Sequence, residues 1–330
     1  MTNPLAIDDV RQAKRRLAEH IVSTPLVRSA LLNRWLGHEI WFKAECLQRT
    51  GAFKVRGAFN MIAWLLENGT RPTRLVANSS GNHAQAVAWS AAHFGIPSTV
   101  FMPASVSSVK AQATAAYGAE IELCATRALV DQRTAAAAEA PGVQWVPPFN
   151  HPQIVCGQGT AALEALSELG EVDAVFAPCG GGGLLSGTWI AARALAPHAA
   201  VIGAEPLQAN DAAQSVRLGS IQKFAEAPDT LADGARTLSI GPVTFPYLRQ
   251  LDDIVEVSED DIVYWTQWLT HLLKLHVEPT SAMAMAAAHA WLARQSSAQR
   301  ILVILSGGNL DQAHMAKLWQ RDCLDAPPRC

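Results

Sequence analysis

The chain has 330 residues, of which 49% are hydrophobic and 17% charged, with a net charge of -3 and a mean hydropathy of +0.10. This length predicts one or two domains around a large buried core. The charge balance argues against a nucleic-acid partner, because a phosphate-binding surface needs clustered Lys and Arg. No run of about 18 apolar residues is free of charges and breakers, so no membrane span is predicted.

The cysteines and the first residues indicate a compartment. Six cysteines are scattered without a CxxC pair, which argues against a zinc site or a disulfide framework. Residues 1–20 contain acidic side chains and lack the apolar region of an export signal. We therefore expect a cytoplasmic protein.

Short β-rich runs alternate with helical stretches along the chain. The candidate strands, in order, are 39–45, 74–79, 98–103, 119–124, 143–148, 173–178, 200–205 and 300–305. This alternation predicts an α/β fold with parallel sheets covered on both faces. Ligands of such sheets bind in the loops that leave the carboxyl ends of the strands. Residues 206–253 lack the pattern and are predicted to form an irregular functional loop or extension.

The stretch LQRTGAFKVRGAF (47–59) places a lysine at the opening of an apolar helix. Lys54 follows Phe53 and two small residues, so there is room beside it for a flat group. A surface lysine would also explain the pattern, and the neighbouring loops have to decide between the two. Arg56, two positions later, is expected to have a structural, ion-pairing role.

Four consecutive glycines, Gly180, Gly181, Gly182 and Gly183, connect the strand at 173–178 to an alanine-rich helix. Glycines let the backbone approach an anion, and a helix N-terminus attracts negative charge. A flexible linker is the alternative, but linkers are not bracketed by a buried strand and an apolar helix. No GK[ST] follows and the third glycine of GxGxxG is missing, so the loop predicts phosphate binding without specifying a nucleotide.

The strand at 74–79 runs into the polar loop NSSGNHAQA before a helix. The side chains that arrive together there are Ser79, Ser80, Asn82 and His83. One serine would be enough to cap the helix. The surplus of polar groups favours a turn that binds a carboxylate.

The last strand, 300–305, ends in SGGN. Ser306 is thereby placed where a flat ring could approach the backbone closely. By itself this motif is weak, because Gly–Gly after a strand is a common turn.

Together these stretches resemble one family, the fold-type II pyridoxal-phosphate (PLP) enzymes, in the branch of threonine/serine dehydratases and serine racemase. The matching segments are KAECLQRTGAFKVRGA, NSSGNHAQA, CGQGT, CGGGGLLSG, GAEP, LADGAR, VEPTSA and LSGGN, in family order. The resemblance implies a tryptophan synthase β-like fold with two domains, each a mostly parallel twisted sheet flanked by helices. It also implies a large PLP-binding domain of residues 1–50 plus 150–330 and a small domain of residues 51–149.

The resemblance assigns roles around the cofactor. It implies that Lys54 forms the Schiff base with PLP and that Phe53 packs against the ring. Asn82 would bond the 3-hydroxyl of the ring, Ser306 would contact the pyridine nitrogen, and the glycines 180–183 would cradle the phosphate.

The resemblance also implies a substrate site in the small domain. The turn with Ser79, Ser80, Asn82 and His83 would hold the substrate carboxylate. Ser80 matches the serine that faces the lysine across Cα in the racemase, and Thr237 stands where the racemase has a serine in the substrate pocket. A small amino acid is the expected substrate, and a homodimer is the expected assembly.

A divalent-cation site is implied by the segment EPLQAND. Its ligands would be the carboxylates of Glu205 and Asp211 and the carbonyl of Ala209. Such oxygen donors suit Mg²⁺ or Ca²⁺. Two exposed acids on a loop are the alternative; a bound cation would order the segment 206–253 and take no part in the chemistry.

The implied chemistry is α,β-elimination. The freed Lys54 amine would act as the general base, provided that burial lowers its pKa. A neutral serine such as Ser306 stabilises a protonated pyridine poorly, which favours rapid loss of a β-hydroxyl. The sequence therefore predicts a dehydratase, or ammonia-lyase, that converts a 3-hydroxy amino acid of the serine/threonine type to a 2-oxo acid and ammonia.

Three departures from the family pattern bear on the substrate. Ala52 replaces the usual serine, Thr237 and Leu238 replace two serines, and no arginine in 126–134 aligns with a substrate-contacting arginine of the family. Arg133 is only nearby. A bulkier 3-hydroxy amino acid, of the phenylserine, hydroxyaspartate or hydroxyectoine-derived kind, is therefore an alternative.

Other functions also stay open on sequence alone. Lys54 and Ser80 on opposite faces of Cα would suit a serine racemase. A non-catalytic protein that binds amino acids is a further alternative. A nucleotide-binding dehydrogenase is disfavoured by the absence of GxGxxG.

Overall fold

The computed structural model describes residues 4–329, which form ten strands and thirteen α-helices in alternation. The strands are β1 (Leu26–Val27), β2 (Glu39–Ala44), β3 (Arg74–Asn78), β4 (Ser98–Pro103), β5 (Glu120–Cys124), β6 (Val143–Trp145), β7 (Ala174–Pro178), β8 (Ala200–Pro206), β9 (Asp253–Val257) and β10 (Arg300–Leu305). The helices are α1 (Ile7–Leu17), α2 (Ala30–Leu36), α3 (Lys54–Glu67), α4 (Asn82–His93), α5 (Ser108–Ala116), α6 (Arg127–Ala138), α7 (Pro152–Leu169), α8 (Gly183–Leu195), α9 (Asp211–Leu218), α10 (Phe245–Leu248), α11 (Glu259–Leu273), α12 (Pro279–Leu292) and α13 (Gln312–Leu318). No helix in this part of the chain is long and apolar enough to cross a membrane.

The strands form two separate sheets. The larger sheet has the order β1-β2-β10-β7-β8-β9, and the smaller sheet has the order β5-β4-β3-β6. All neighbouring strands are parallel except β1, which pairs antiparallel with β2. The predicted α/β fold with two mostly parallel sheets is confirmed, whereas the domain boundaries at residues 50 and 150 stay a prediction.

Strand β10 shows why the large sheet is buried on both faces. Its side chains alternate between two cores: Ile301, Val303 and Leu305 belong to one hydrophobic cluster, and Leu302 and Ile304 to the other. A parallel strand covered by helices on both sides is apolar throughout, as the run RILVIL is.

The eight predicted strands all occur, with ends that shift by up to three residues. Two strands were missed. Strand β1 has only two residues, and β9 lies at the edge of the sheet with acids and half-buried positions in its sequence DIVEV. The prediction that 206–253 is irregular was wrong in part, because the segment contains α9 and α10.

Arg56 forms a buried ion network, as its position predicted. Its guanidinium donates to both oxygens of Glu45, at 2.7 and 2.8 Å, and to both oxygens of Glu164, at 2.9 and 2.8 Å. Lys43 adds a second cation to Glu164 at 2.7 Å. The network ties the start of α3 to α7 and to the segment that follows β2.

Candidate active site

A narrow cleft lies at the carboxyl edge of the large sheet. Strands β7 and β10 are parallel neighbours, so the loops that follow them emerge side by side, where open α/β sheets bind ligands. The residues that line the cleft are Phe53, Lys54, Phe149, Pro178, Gly180, Gly181, Gly182, Gly183, Leu184, Gly234, Thr280 and Ser306. The structure therefore brings together three separate predicted elements: the lysine, the glycine run and the serine after the last strand.

Direct backbone pairing holds Lys54 beside Ser306. The N–H of Phe53 donates to the carbonyl of Ser306 at 2.9 Å, and Ala52 forms an antiparallel bridge with Gly307. Gly51 has a φ of 72° and leaves no room for a Cβ, which would collide with the Asn309 amide. The two small residues before Phe53 are thus required by this close approach of two chain segments.

Lys54 is the first residue of α3, and its side chain is partly buried in the cleft wall. Its Nζ donates to the Pro148 carbonyl at 2.9 Å and lies 5.1 Å from the centre of the Phe53 ring. Burial lowers the pKa of the amine to about 8, against an opposing effect of the Glu278 carboxylate. A lysine with this pKa has an appreciable neutral fraction near neutral pH, as a nucleophile or base requires.

The glycine run forms a cradle that side chains would fill. A Cβ on Gly180 would come within 2.9 Å of the Gly234 carbonyl, and a Cβ on Gly181 would overlap the Phe149 ring. Gly182 has a φ of 86° and precedes α8 as its N-cap residue. The first N–H groups of a helix have no partner within the helix. The cradle thus offers backbone donors and a favourable dipole to an anion such as phosphate.

The polar loop after β3 leaves the N-terminus of α4 uncapped. Gly81 is the N-cap residue and no side chain caps the helix, although the Ser79 hydroxyl accepts a bond from the Gly81 N–H at 3.2 Å. The simple capping interpretation of the two serines is therefore wrong. The free helix N-terminus suits an anion such as a carboxylate, but the placement of a substrate on Ser79 and Ser80 stays a prediction.

His83 is buried and uncharged. One ring nitrogen, Nε2, lies 2.8 Å from the Val146 carbonyl, while Nδ1 has no hydrogen-bond partner. Burial, together with the Lys54 charge, lowers the pKa of the imidazole to about 3. Any contribution of His83 to carboxylate binding would come from its backbone N–H. Thr237 lies outside the cleft lining, and its buried hydroxyl has no partner.

A carboxylate that the sequence analysis did not single out lies behind the predicted ring contacts. Glu278 accepts two bonds from the Asn82 amide nitrogen, at 3.1 and 3.0 Å, and one from the Ser306 hydroxyl at 3.4 Å. Thr280, Gly234 and Phe149 of the cleft wall were missed as well. Glu278 and Thr280 lie in the family-like stretch VEPTSA, and Gly234 lies in LADGAR. The sequence therefore marked these stretches as part of the family pattern but did not indicate what the individual residues do.

The predicted cation ligands lie together. Glu205 is fully buried and accepts bonds from the N–H groups of Ala212 and Ala213 at 3.0 and 2.9 Å. Neither oxygen of the buried Asp211 has a hydrogen-bond partner. Burial and the neighbouring Asp211 raise the pKa of Glu205, and burial raises the pKa of Asp211 to about 7. Two neighbouring buried carboxylates, one of them without hydrogen-bond partners, fit a bound cation.

A lysine of lowered pKa beside an anion cradle is the arrangement expected for PLP, and a family comparison agrees. The family model described as pyridoxal-phosphate dependent enzyme matches residues 17–307. The chain belongs to this PLP-dependent enzyme family.

The alignments with similar proteins extend over nearly the whole length of this PLP-dependent enzyme. It is 42% identical over 317 residues to the L-threo-3-hydroxyaspartate ammonia-lyase of Saccharomyces cerevisiae, with 94% of this chain and 95% of that protein covered. It is 40% identical to the serine racemase of Schizosaccharomyces pombe, covering 92% and 94%. Among solved structures, a maize serine racemase superposes with a TM-score of 0.89 at 34% identity, covering 96% of this chain and 97% of that one. A solved threonine deaminase superposes with a TM-score of 0.88 at 41% identity, covering 93% and 99%. These matches confirm the predicted family and cofactor.

The site residues of this PLP-dependent enzyme fit the cofactor chemically. The glycine cradle suits the phosphate, because its backbone packs so closely against Gly234, Phe149 and Leu248 that a Cβ at any of the first three glycines would collide with them. Lys54 would supply the amine that holds the aldehyde, and Phe53 forms part of the wall beside it. Ser306 presents a fully buried hydroxyl to the same cleft.

Proposed function

We propose that this enzyme is an ammonia-lyase that converts a 3-hydroxy amino acid to a 2-oxo acid and ammonia. The observation that carries the proposal is the position of the Lys54 amine beside the glycine cradle, where its pKa of about 8 leaves a fraction of it neutral and able to act as a base. The relatives include two L-threo-3-hydroxyaspartate ammonia-lyases, at 42% and 39% identity, and a threonine deaminase at 41%.

PLP, when bound, supplies the electron sink that makes the Cα–H bond of an amino acid acidic. Lys54 Nζ takes the Cα proton and returns it to the departing β-hydroxyl, which leaves as water as its bond to Cβ breaks. The N-terminus of α4, which no side chain caps, orients the substrate carboxylate through its backbone N–H groups. The enamine released then takes up water and yields the 2-oxo acid and ammonia, so that one amino acid gives one of each.

The substrate class that we favour is a small 3-hydroxy amino acid, with L-threo-3-hydroxyaspartate the leading candidate. Two of the similar proteins are named as ammonia-lyases of L-threo-3-hydroxyaspartate. The second carboxylate of hydroxyaspartate would need a cation near the cleft. Lys110 is a candidate, because its Nζ lies 2.6 Å from Asp233, which is next to cleft-lining Gly234 in the chain. Phenylserine and hydroxyectoine-derived substrates are the bulkier alternatives.

Racemisation is the second candidate. A serine racemase is 40% identical to this chain, and Ser80 is half-buried in the uncapped loop before α4. A hydroxyl on the face of Cα opposite Lys54 would return the proton with inverted configuration, and no β-hydroxyl would be lost.

We also propose a divalent cation, Mg²⁺ or Ca²⁺, on Glu205, Asp211 and the Ala209 carbonyl. The two oxygens of Asp211 that lack partners support it. A homodimer in the cytoplasm is proposed as well. Exposed apolar side chains such as Leu218 and Leu207, which are 66% and 53% exposed, offer an interface, and the five cysteines within the described residues are free thiols.

The substrate screen tests the function. Purified holoenzyme is incubated with L-threo-3-hydroxyaspartate, L-serine, L-threonine and DL-phenylserine, and 2-oxo acid, ammonia and the D-amino acid are measured for each. We expect 2-oxo acid and ammonia in equal amounts, fastest from hydroxyaspartate, and at least about 10³-fold less with Lys54→Ala, the loss typical of a catalytic base. D-serine in excess over pyruvate would instead establish the racemase, and full activity of Lys54→Ala would overturn both.

A further inference from the structure

Glu278 is the most enclosed carboxylate beside the cleft, and the proposed reaction gives it no role. Only 2% of its surface is exposed, and its backbone is fixed at the N-terminus of α12. Its N–H donates to the Gly307 carbonyl at 3.1 Å, and its own carbonyl accepts from the first turn of α12. No cation pairs with its carboxylate within 4 Å anywhere in residues 4–329, so a buried charge is held by neutral donors alone.

The Glu278 carboxylate fixes the amide of Asn82. The Asn82 nitrogen faces both carboxylate oxygens, at 3.1 and 3.0 Å, while its oxygen accepts a bond from the Asn309 side chain at 2.8 Å. Asn309 is itself anchored to the Thr50 carbonyl at 2.8 Å. This chain of bonds leaves only one orientation for the amide, with its nitrogen towards Glu278 and its oxygen towards Asn309.

The same carboxylate also determines where the Ser306 proton points. Ser281 Oγ donates to the Gly307 carbonyl and accepts from the Gly307 N–H, both at 2.8 Å. Its single proton is therefore used, and Ser306, 3.0 Å away, has to be the donor in any bond between the two hydroxyls. The other acceptor near Ser306 is Glu278, at 3.4 Å. An ionised Glu278 therefore gives the Ser306 proton a second acceptor besides Ser281 Oγ and favours the state in which a Ser306 lone pair faces the cleft.

We propose that Glu278 is a positioning residue for the cofactor ring: it orients Asn82 at one side of the ring and sets, through its own protonation, whether Ser306 accepts from or donates to the ring nitrogen. The proposal rests on the family's cofactor and on the two ring contacts predicted for Asn82 and Ser306. The proposal places a titratable carboxyl behind Ser306, whereas the sequence alone predicts only a neutral serine at the ring nitrogen.

The surroundings allow this carboxyl to titrate near neutral pH. Burial, followed by the Asp233 charge, raises the pKa of Glu278 to about 7. The titratable groups that face it are Asp233 from the loop before α10, Lys110 from α5, Lys54 from α3 and the neutral thiol of Cys46 from the turn after β2. Asp233 and Lys110 pair with each other at 2.6 Å, the pKa of Cys46 is raised to about 12, and the Lys54 amine is occupied by the cofactor in the holoenzyme.

The first measurement is a pH titration of the visible absorption band of the holoenzyme between about pH 6 and 9. The second is the dissociation constant of PLP, measured by adding PLP back to the apoprotein. Wild-type enzyme should show a band shift with a midpoint near 7. Glu278→Gln should abolish the shift and weaken PLP binding about tenfold, the effect of one lost hydrogen bond. Glu278→Asp should restore a titration, which a purely structural loss would not.

Two further variants keep the test decisive. Ser306→Ala retains the carboxyl but removes the hydroxyl through which it acts, so it should also abolish the shift, even if Glu278→Gln does not fold. Glu259→Gln is the matched control: that carboxylate also holds a loop by two bonds, to Thr230 and Leu231, and the titration should stay unchanged. A wild-type midpoint in Glu278→Gln or Ser306→Ala, or no transition in wild-type enzyme, overturns the proposal. Failure of the wild-type protein to bind PLP would instead overturn the proposed function.

Discussion

Side chains in the cleft are tuned by burial more than by direct ion pairs. Lys54 loses basicity because its ammonium form is poorly solvated, and His83 stays neutral for the same reason. Burial has the opposite effect on Glu278, whose pKa it raises. The reason is the same for all three groups, since burial disfavours the charged form. If Glu278 acts on Ser306, the ring nitrogen of this enzyme meets a contact whose character depends on pH. The balance between elimination and racemisation would then depend on pH as well.

At the same scale, Asp211 provides a test of the cation site. The folded-state pKa of Asp211, about 7, lies above its unfolded value, so the metal-free protein loses stability as the pH rises towards 7. In EDTA at pH 8, Asp211→Asn should therefore raise Tm, because it removes an unpaired buried charge. Added Mg²⁺ or Ca²⁺ should raise the Tm of wild-type protein and leave that of Asp211→Asn unchanged, as differential scanning fluorimetry would show.

The control for this test is Asp229→Asn, an exposed acid in the same segment. It should respond to the cations as wild-type protein does. Equal shifts in wild-type protein and Asp211→Asn would place any bound cation elsewhere.

At the scale of elements, the site is made by loops that follow adjacent parallel strands. The glycine run follows β7, Ser306 follows β10, and the backbone pairing of 51–53 with 306–308 adds the start of α3. Each loop is short, and its position depends on the strand before it. The glycines then serve two separate needs, a positive φ at Gly182 and close approach at Gly180 and Gly181.

A comparison of Gly182→Ala with Gly219→Ala separates the cost of a positive φ from the cost of crowding in the cradle. Both glycines have positive φ, 86° and 70°, but a Cβ on Gly182 would lie 2.8 Å from Leu248, whereas nothing lies within 4 Å of one on Gly219. Gly219→Ala should cost only the backbone strain, about 1 kcal/mol. Gly182→Ala should cost more and should also weaken PLP binding, as urea unfolding and cofactor titration would measure. Equal losses would show that crowding in the cradle is unimportant.

At the scale of the whole molecule, buried ion pairs join the parts of the chain that were predicted to form separate domains. Arg56 belongs to the predicted small domain, whereas Glu45 and Glu164 belong to the large one, and Arg56 and Glu45 are fully buried. Lys110 and Asp233, which are both partly exposed, make a second link near cleft-lining Gly234. These pairs therefore connect the two predicted domains at two separate places.

Arg56→Met should destabilise the protein by about 3–5 kcal/mol, because it leaves buried carboxylates without their main partner. Urea unfolding followed by tryptophan fluorescence measures the free energy. Arg127→Met is the control, since its pair with Asp131 is exposed at both ends and exposed pairs contribute little. A loss in Arg56→Met no larger than in the control would mean that the network does not stabilise the fold.

The sequence by itself determined the α/β class, and it singled out the lysine, the glycine run and the serine after the last strand that meet in the cleft. Each of these depends on local pattern: apolar runs that suit buried strands, and small or polar residues directly after them. Only the tertiary structure decided which groups surround those residues. Glu278 is 196 positions from Asn82 in the chain, and the pKa of Lys54 depends on burial that no local window contains. Contacts between distant segments, and the desolvation that they cause, belong to the folded molecule alone.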